Sequence, residues 1–165
     1  MHRFFKTIYA ITMTGLLIFT SAAWSAGNHA GGHAHGNENS EIGQEGKASQ
    51  VSRTIQIDMS DTMRFSPSSL TVKAGETIKF EINNTGKVKH EFVLGTDREL
   101  KEHYQQMLKF PEMEHDDPNM VTVDPGQSKT LIWKFTNAGM VDFACLLPGH
   151  YDAGMKGAVR VELKK

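Results

Sequence analysis

Val141-Asp142-Phe143-Ala144-Cys145-Leu146-Leu147-Pro148-Gly149-His150-Tyr151-Asp152-Ala153-Gly154-Met155 reads as a strand running into a loop. Val141, Phe143 and Cys145 share one parity, so an extended chain turns all three toward one side and Asp142 toward the other. The thiol then points inward at the end of a core strand. Pro148 and Gly149 break that strand and Gly154 permits a second bend, so His150 and Met155 can swing back toward the sulfur. Lys89-His90-Glu91-Phe92-Val93-Leu94 behaves similarly: His90, Phe92 and Leu94 share a face, which makes His90 an inward imidazole at a strand end.

Outward from these two stretches, the chain keeps a period of two from Val51 onward. Ile55, Ile57 and Met59 alternate with polar residues, as do Ile78, Phe80 and Ile82 and, later, Leu131, Trp133 and Phe135. Leu70 and Val72 follow Ser66-Pro67, Val121 and Val123 begin another strand, and Val159, Val161 and Leu163 close the series. Ala74-Gly75, Asn83-Asn84-Thr85-Gly86, Asp124-Pro125-Gly126 and Thr136-Asn137-Ala138-Gly139 supply the turns. About eight such strands predict an all-β, antiparallel two-sheet sandwich over residues 51–165. One segment changes period. From Asp97 to Phe110, Leu100, Tyr104, Met107 and Leu108 fall on one helical face, which predicts a single inserted amphipathic helix, capped by Asp97 and lying as a lid over the core.

The first fifty residues have another character. Arg3 and Lys6 precede a twelve-residue apolar run from Ile8 to Phe19, and small residues follow at Ser21-Ala22-Ala23. Residues 1–25 therefore read as a secretory signal peptide cleaved after Ala23 or Ser25, with export to a bacterial periplasm. The run is short for a bilayer span of about 20 residues, which disfavours an uncleaved anchor. Residues 26–50 are rich in glycine and asparagine, almost lack large apolar side chains, and read as a flexible, disordered His/Gly-rich linker. Its His29, His33 and His35 are either weak ligands for Cu(II) or Zn(II) or incidental residues of a solvated tether.

The 165 residues carry a formal charge of -1; loss of Arg3 and Lys6 with the leader takes 18 basic residues to 16 against 19 acidic, a charge of -3. That balance argues against nucleic acid or an anionic membrane surface as partner, and no membrane anchoring is expected after cleavage. The single Cys145 cannot form an internal disulfide, so in an exported chain it is reactive, intermolecular or a ligand. Taken singly, Cys145, His90 and Met155 could each be ordinary core residues. Together, two imidazoles, a thiol and a thioether suit copper: calcium and magnesium want oxygen ligands, and structural zinc takes more cysteine or histidine.

His90 followed by Cys145-x4-His150-x4-Met155 and then Lys156-Gly157 resembles the copper-site signature of the cupredoxins. The wider phrase from Phe143 to Met155 looks closest to the periplasmic copper-tolerance cupredoxins of bacteria, the CopI-type group. The resemblance runs from about Val51 to the C-terminus. It implies a Greek-key, plastocyanin-like sandwich and one type 1 copper, Cu(I)/Cu(II), held by His90, Cys145, His150 and Met155. Two departures bear on the hydrogen bonding that sets colour and potential. Glu91 stands where many electron-carrying cupredoxins have asparagine, and the Cys-to-His loop is longer than in plastocyanin.

Met113, His115 and Met120 lie in a polar loop framed by Pro111 and Pro118, where thioethers and an imidazole would suit a second Cu(I), unless the methionines merely fill gaps. These soft side chains beyond the four motivate a role in copper tolerance through binding, and redox handling, of copper. The alternative is a one-electron carrier between periplasmic redox enzymes, for which tail and loop are superfluous. An enzymatic reading is weaker: a thiol enzyme using Cys145 and His150 lacks an evident oxyanion donor, and a cuprous oxidase needs an oxygen path that one copper centre rarely supplies. The expected partner is transient, a redox or copper-handling protein docking on a collar of Leu146, Leu147 and Pro148 around His150, and the expected state is a monomer.

Overall fold

Along Thr77–Asn84 (β5) Ile78, Phe80 and Ile82 are fully buried while Lys79, Glu81 and Asn83 are only half-buried. The same alternation, strand after strand, builds a two-layer sandwich in the computed structural model, which describes residues 41–165. The expected leader and the histidines at 29, 33 and 35 lie outside the described residues.

Besides β5, the strands are Gln44–Glu45 (β1), Arg53–Ser60 (β2), Arg64–Ser66 (β3), Ser69–Lys73 (β4), His90–Gly95 (β6), Met120–Val123 (β7), Ser128–Lys134 (β8), Gly139–Ala144 (β9) and Lys156–Glu162 (β10). One sheet has the order β1-β8-β5-β2-β3 and the other β4-β10-β9-β6-β7. Among the described residues this makes ten strands rather than about eight; β1 and β3, two and three residues long, are too short to show a period. Nor is the pairing wholly antiparallel. β2 lies parallel to β5 and β4 parallel to β10, because the chain crosses to the second sheet as β4 before returning as β5, and parallel neighbours require such a crossover.

The ordered fold also reaches back into the stretch expected as linker. Gln44 and Glu45 pair with Lys134 and Trp133, and the Trp133 indole donates to the Ile42 carbonyl at 2.7 Å. Both paired side chains are polar, so this edge is held by backbone bonds and leaves no apolar pattern in the sequence.

Between the sheets, Phe92 packs against Phe65, Phe80 and Phe143 with ring centroids 5.8, 5.4 and 5.0 Å away. Truncating one such ring to alanine typically costs about 3–5 kcal/mol. A second, smaller core lies on the outer face of the β4–β7 sheet. The helix Asp97–Lys109 (α1) sets Leu100, Tyr104 and Met107 against Val93, Ala144, Leu146, Met120 and Tyr151. The expected lid thus covers the back of a sheet. Thr96 caps it instead of Asp97, because Thr96 and Glu99 close a reciprocal capping box: the Glu99 amide donates to Thr96 Oγ1 at 3.2 Å and the Thr96 amide to Glu99 at 2.8 Å. Leu108, expected on the apolar face, falls at its margin and is exposed. No helix among the described residues is long and apolar enough to cross a membrane.

Candidate metal centre

β6 and β9 are hydrogen-bonded neighbours, with Val93 opposite Ala144 and Leu94 opposite Phe143. Inward parity on both strands carries His90 and Cys145 to one end of the sandwich, each fully buried. Beyond β9 the chain winds through tight turns. The His150 amide donates to the Leu147 carbonyl at 3.0 Å and the Met155 amide to the His150 carbonyl at 3.1 Å, while the Cys145 amide donates to the Met155 carbonyl at 3.1 Å. Gly149 and Gly154, at φ of 85° and 92°, occupy the left-handed region that these turns require.

One donor atom from each of His90, Cys145 and His150 lies within 4.8 Å of the others. His150 Nδ1 is 3.3 Å from the Cys145 sulfur and 3.2 Å from His90 Nδ1. Met155 is fully buried in the same core, tied through its backbone to both Cys145 and His150. Three lone-pair donors facing one another, with no carboxylate among them, fit a soft cation and suit calcium or magnesium poorly.

The electrostatics keep His150 a lone-pair donor but leave the thiol hard to ionise without a cation. Burial pushes the Cys145 thiol up to about 12, partly offset by the backbone amides of Glu91 and Leu147; the Glu91 amide sits 3.3 Å from the sulfur. Burial, and then the neighbouring His90, hold His150 below the usual imidazole range. Burial raises the Glu91 carboxyl, with His115 pulling the other way. Glu91 Oε2 and both ring nitrogens of His115 are buried without a hydrogen-bond partner.

The other expected ligands are dispersed. Met120 belongs to the core beneath α1, Met113 is exposed, and the His115 ring packs on His103 at 4.5 Å between centroids. The collar changes as well: Leu146 is buried under the helix, leaving half-buried Leu147 and exposed Pro148 beside His150.

Several residues that position the site escaped the sequence reading. Tyr104 donates from its hydroxyl to Asp152 at 2.7 Å and accepts from the Gly149 amide at 3.2 Å. Arg64 donates to the Ala153 carbonyl at 2.7 Å, so the loop is held from two sides. Asn84 donates to the Val88 and Val123 carbonyls and fixes the turn that leads into His90. Asp61, in the turn between β2 and β3, reaches His90 Nε2 at 3.3 Å. Only an acid in a turn marked Asp61 beforehand, and that signal is too common to single it out.

Residues 51–162 match the family described as copper binding proteins, plastocyanin/azurin family. Over 157 residues, 92% of this chain and 94% of the relative, the sequence is 46% identical to the copper-resistant cuproprotein CopI of Rubrivivax gelatinosus. It is 38% identical over 158 residues to that of Pseudomonas aeruginosa, covering 78% of this chain and 85% of the relative. Among solved structures, reduced auracyanin from Roseiflexus castenholzii superposes with a TM-score of 0.57 at 25% identity, covering 67% of this chain and 98% of that one.

Proposed function

Because the chain belongs to the plastocyanin/azurin family of copper-binding proteins, we propose that it holds one copper through His90, Cys145, His150 and Met155 and acts in copper resistance. The observation that carries this reading is the convergence of three donors within 4.8 Å at the end of a buried strand pair. The relatives' name, copper-resistant cuproprotein, supports the physiological half. Copper bound there supplies one-electron chemistry between Cu(I) and Cu(II).

The chain's own residues do the rest. The two Nδ1 atoms offer lone pairs, Cys145 yields its proton on binding, and the Glu91 amide donates to the sulfur and tempers its basicity. The sheet and the doubly tied loop hold these groups in place, so a change of oxidation state demands little rearrangement. His150, half-buried beside Leu147 and Pro148, is the edge at which a transient redox or copper-handling protein would meet the site. Residues 1–25 direct export to the periplasm and are then removed. Short edge strands β1 and β3 offer little for another chain to pair with, which supports a monomer.

Cu(II) added to the purified protein is expected to give an intense thiolate charge-transfer band that Cys145→Ser abolishes. A colourless wild-type protein would sink the site. A deletion strain as copper-tolerant as its parent at every aeration would sink the physiological role. Counting Cu(I) on Cys145→Ser also decides whether Met113, His115 and Met120 hold a second ion: none retained means that they do not.

A further inference from the structure

Asp61 is a surface residue aimed into a buried site. Its carboxylate accepts from the Lys87 amide at 2.8 Å and the Val88 amide at 3.4 Å, and its Oδ1 lies 3.3 Å from His90 Nε2. These bonds tie the β2–β3 turn of one sheet to the segment entering β6 of the other. Gly86 makes the approach feasible, since a Cβ there would run into the Asp61 carboxylate. His90 is itself fully buried, with Nδ1 turned toward His150 and Cys145 and Nε2 turned toward the acid.

We propose that Asp61 is a positioning residue of the copper site: it holds His90 in the Nε2–H tautomer with Nδ1 free for the metal, and biases the centre toward Cu(II). A carboxylate can only accept here, so the proton between them belongs on Nε2 and the lone pair on Nδ1. A carboxylate behind a metal-binding imidazole orients the ring and raises its basicity. Its negative charge favours the more highly charged Cu(II) over Cu(I), so the site gives up an electron more readily than it would with a neutral acceptor at that place. This inference rests on the copper reading above.

Asp61→Asn keeps the shape and one acceptor oxygen but removes the charge. The preference for Cu(II) over Cu(I) is expected to fall about tenfold, read as a rise of about 59 mV in reduction potential, with the protein folded as judged by circular dichroism. Gly86→Ala, which displaces the carboxylate without altering it, should move the potential the same way and serves if the asparagine variant does not fold. Nitrogen-15 NMR of the apo-protein should find His90 protonated at Nε2 in the wild type and in mixed tautomers in Asp61→Ala. A folded variant with unchanged potential, or an apo-protein whose His90 keeps its tautomer without the acid, overturns the proposal. A wild type that takes up no copper would instead defeat the copper reading, and the tautomer measurement would still judge Asp61.

Discussion

At the scale of single residues, Cys145 sets the proton balance of the site. Its thiol is pushed up to about 12 by burial and His150 is held low, so near neutral pH the sulfur carries a proton and the His150 ring does not. If Cys145 is a ligand as proposed, copper uptake expels a proton from the sulfur. Protons compete with the metal, so apparent Cu(II) affinity should rise with pH, by about tenfold per unit for a single released proton. Chelator competition at several pH values measures the slope, and a flat profile would mean that the thiol is not a ligand. Cys145 and His90 were legible because strand parity is a local property of the sequence. Asp61 was not, since its meaning comes from two turns on different sheets meeting in space.

At the scale of elements, the helix braces the loop that carries His150 and Met155. Tyr104 reaches from α1 to Asp152 and Gly149, and its ring stacks on Tyr151 at 4.8 Å between centroids, with the Lys156 amine 3.7 Å over the Tyr151 ring. Tyr104→Phe keeps the stacking and removes both hydroxyl bonds. A hydrogen bond is worth about 1 kcal/mol net, so amides around Gly149 should exchange several-fold faster while those inside α1 keep their protection. Mass-spectrometric hydrogen exchange checks this, and unchanged exchange in the loop would mean that the hydroxyl does not brace it. The helical stripe of Leu100, Tyr104 and Met107 was readable in advance, but amphipathicity says only that a face is covered. What covers it depends on Val93, Ala144 and Leu146, whose outward parity matters only once β6 and β9 lie side by side.

At the scale of the whole molecule, copper should act as a cross-brace between distant parts of the chain. A ligand bound only by the native state, free at a thousand times its Kd, adds about 4 kcal/mol. For a domain of this size that corresponds to a Tm increase on the order of 10 °C. Calorimetry with and without a chelator measures it; a wild-type shift no larger than that of Cys145→Ser would place the binding elsewhere. The sandwich itself was visible in the alternation of strands such as β5, whereas strand order and the parallel pairs β2–β5 and β4–β10 were not, because a period of two is blind to which neighbour a strand will find. The two faces of β9 and its extension through Cys145 serve different clients, the interior taking Val141, Phe143 and Cys145 and the helix taking Ala144. Inserting one residue ahead of Ala144 in that strand would exchange the two, turning sulfur toward the helix and a methyl group toward the proposed copper position, and deleting one would put the Leu146 side chain there instead. Loops that touch neither the site nor its braces can lengthen, but this strand has to keep its frame.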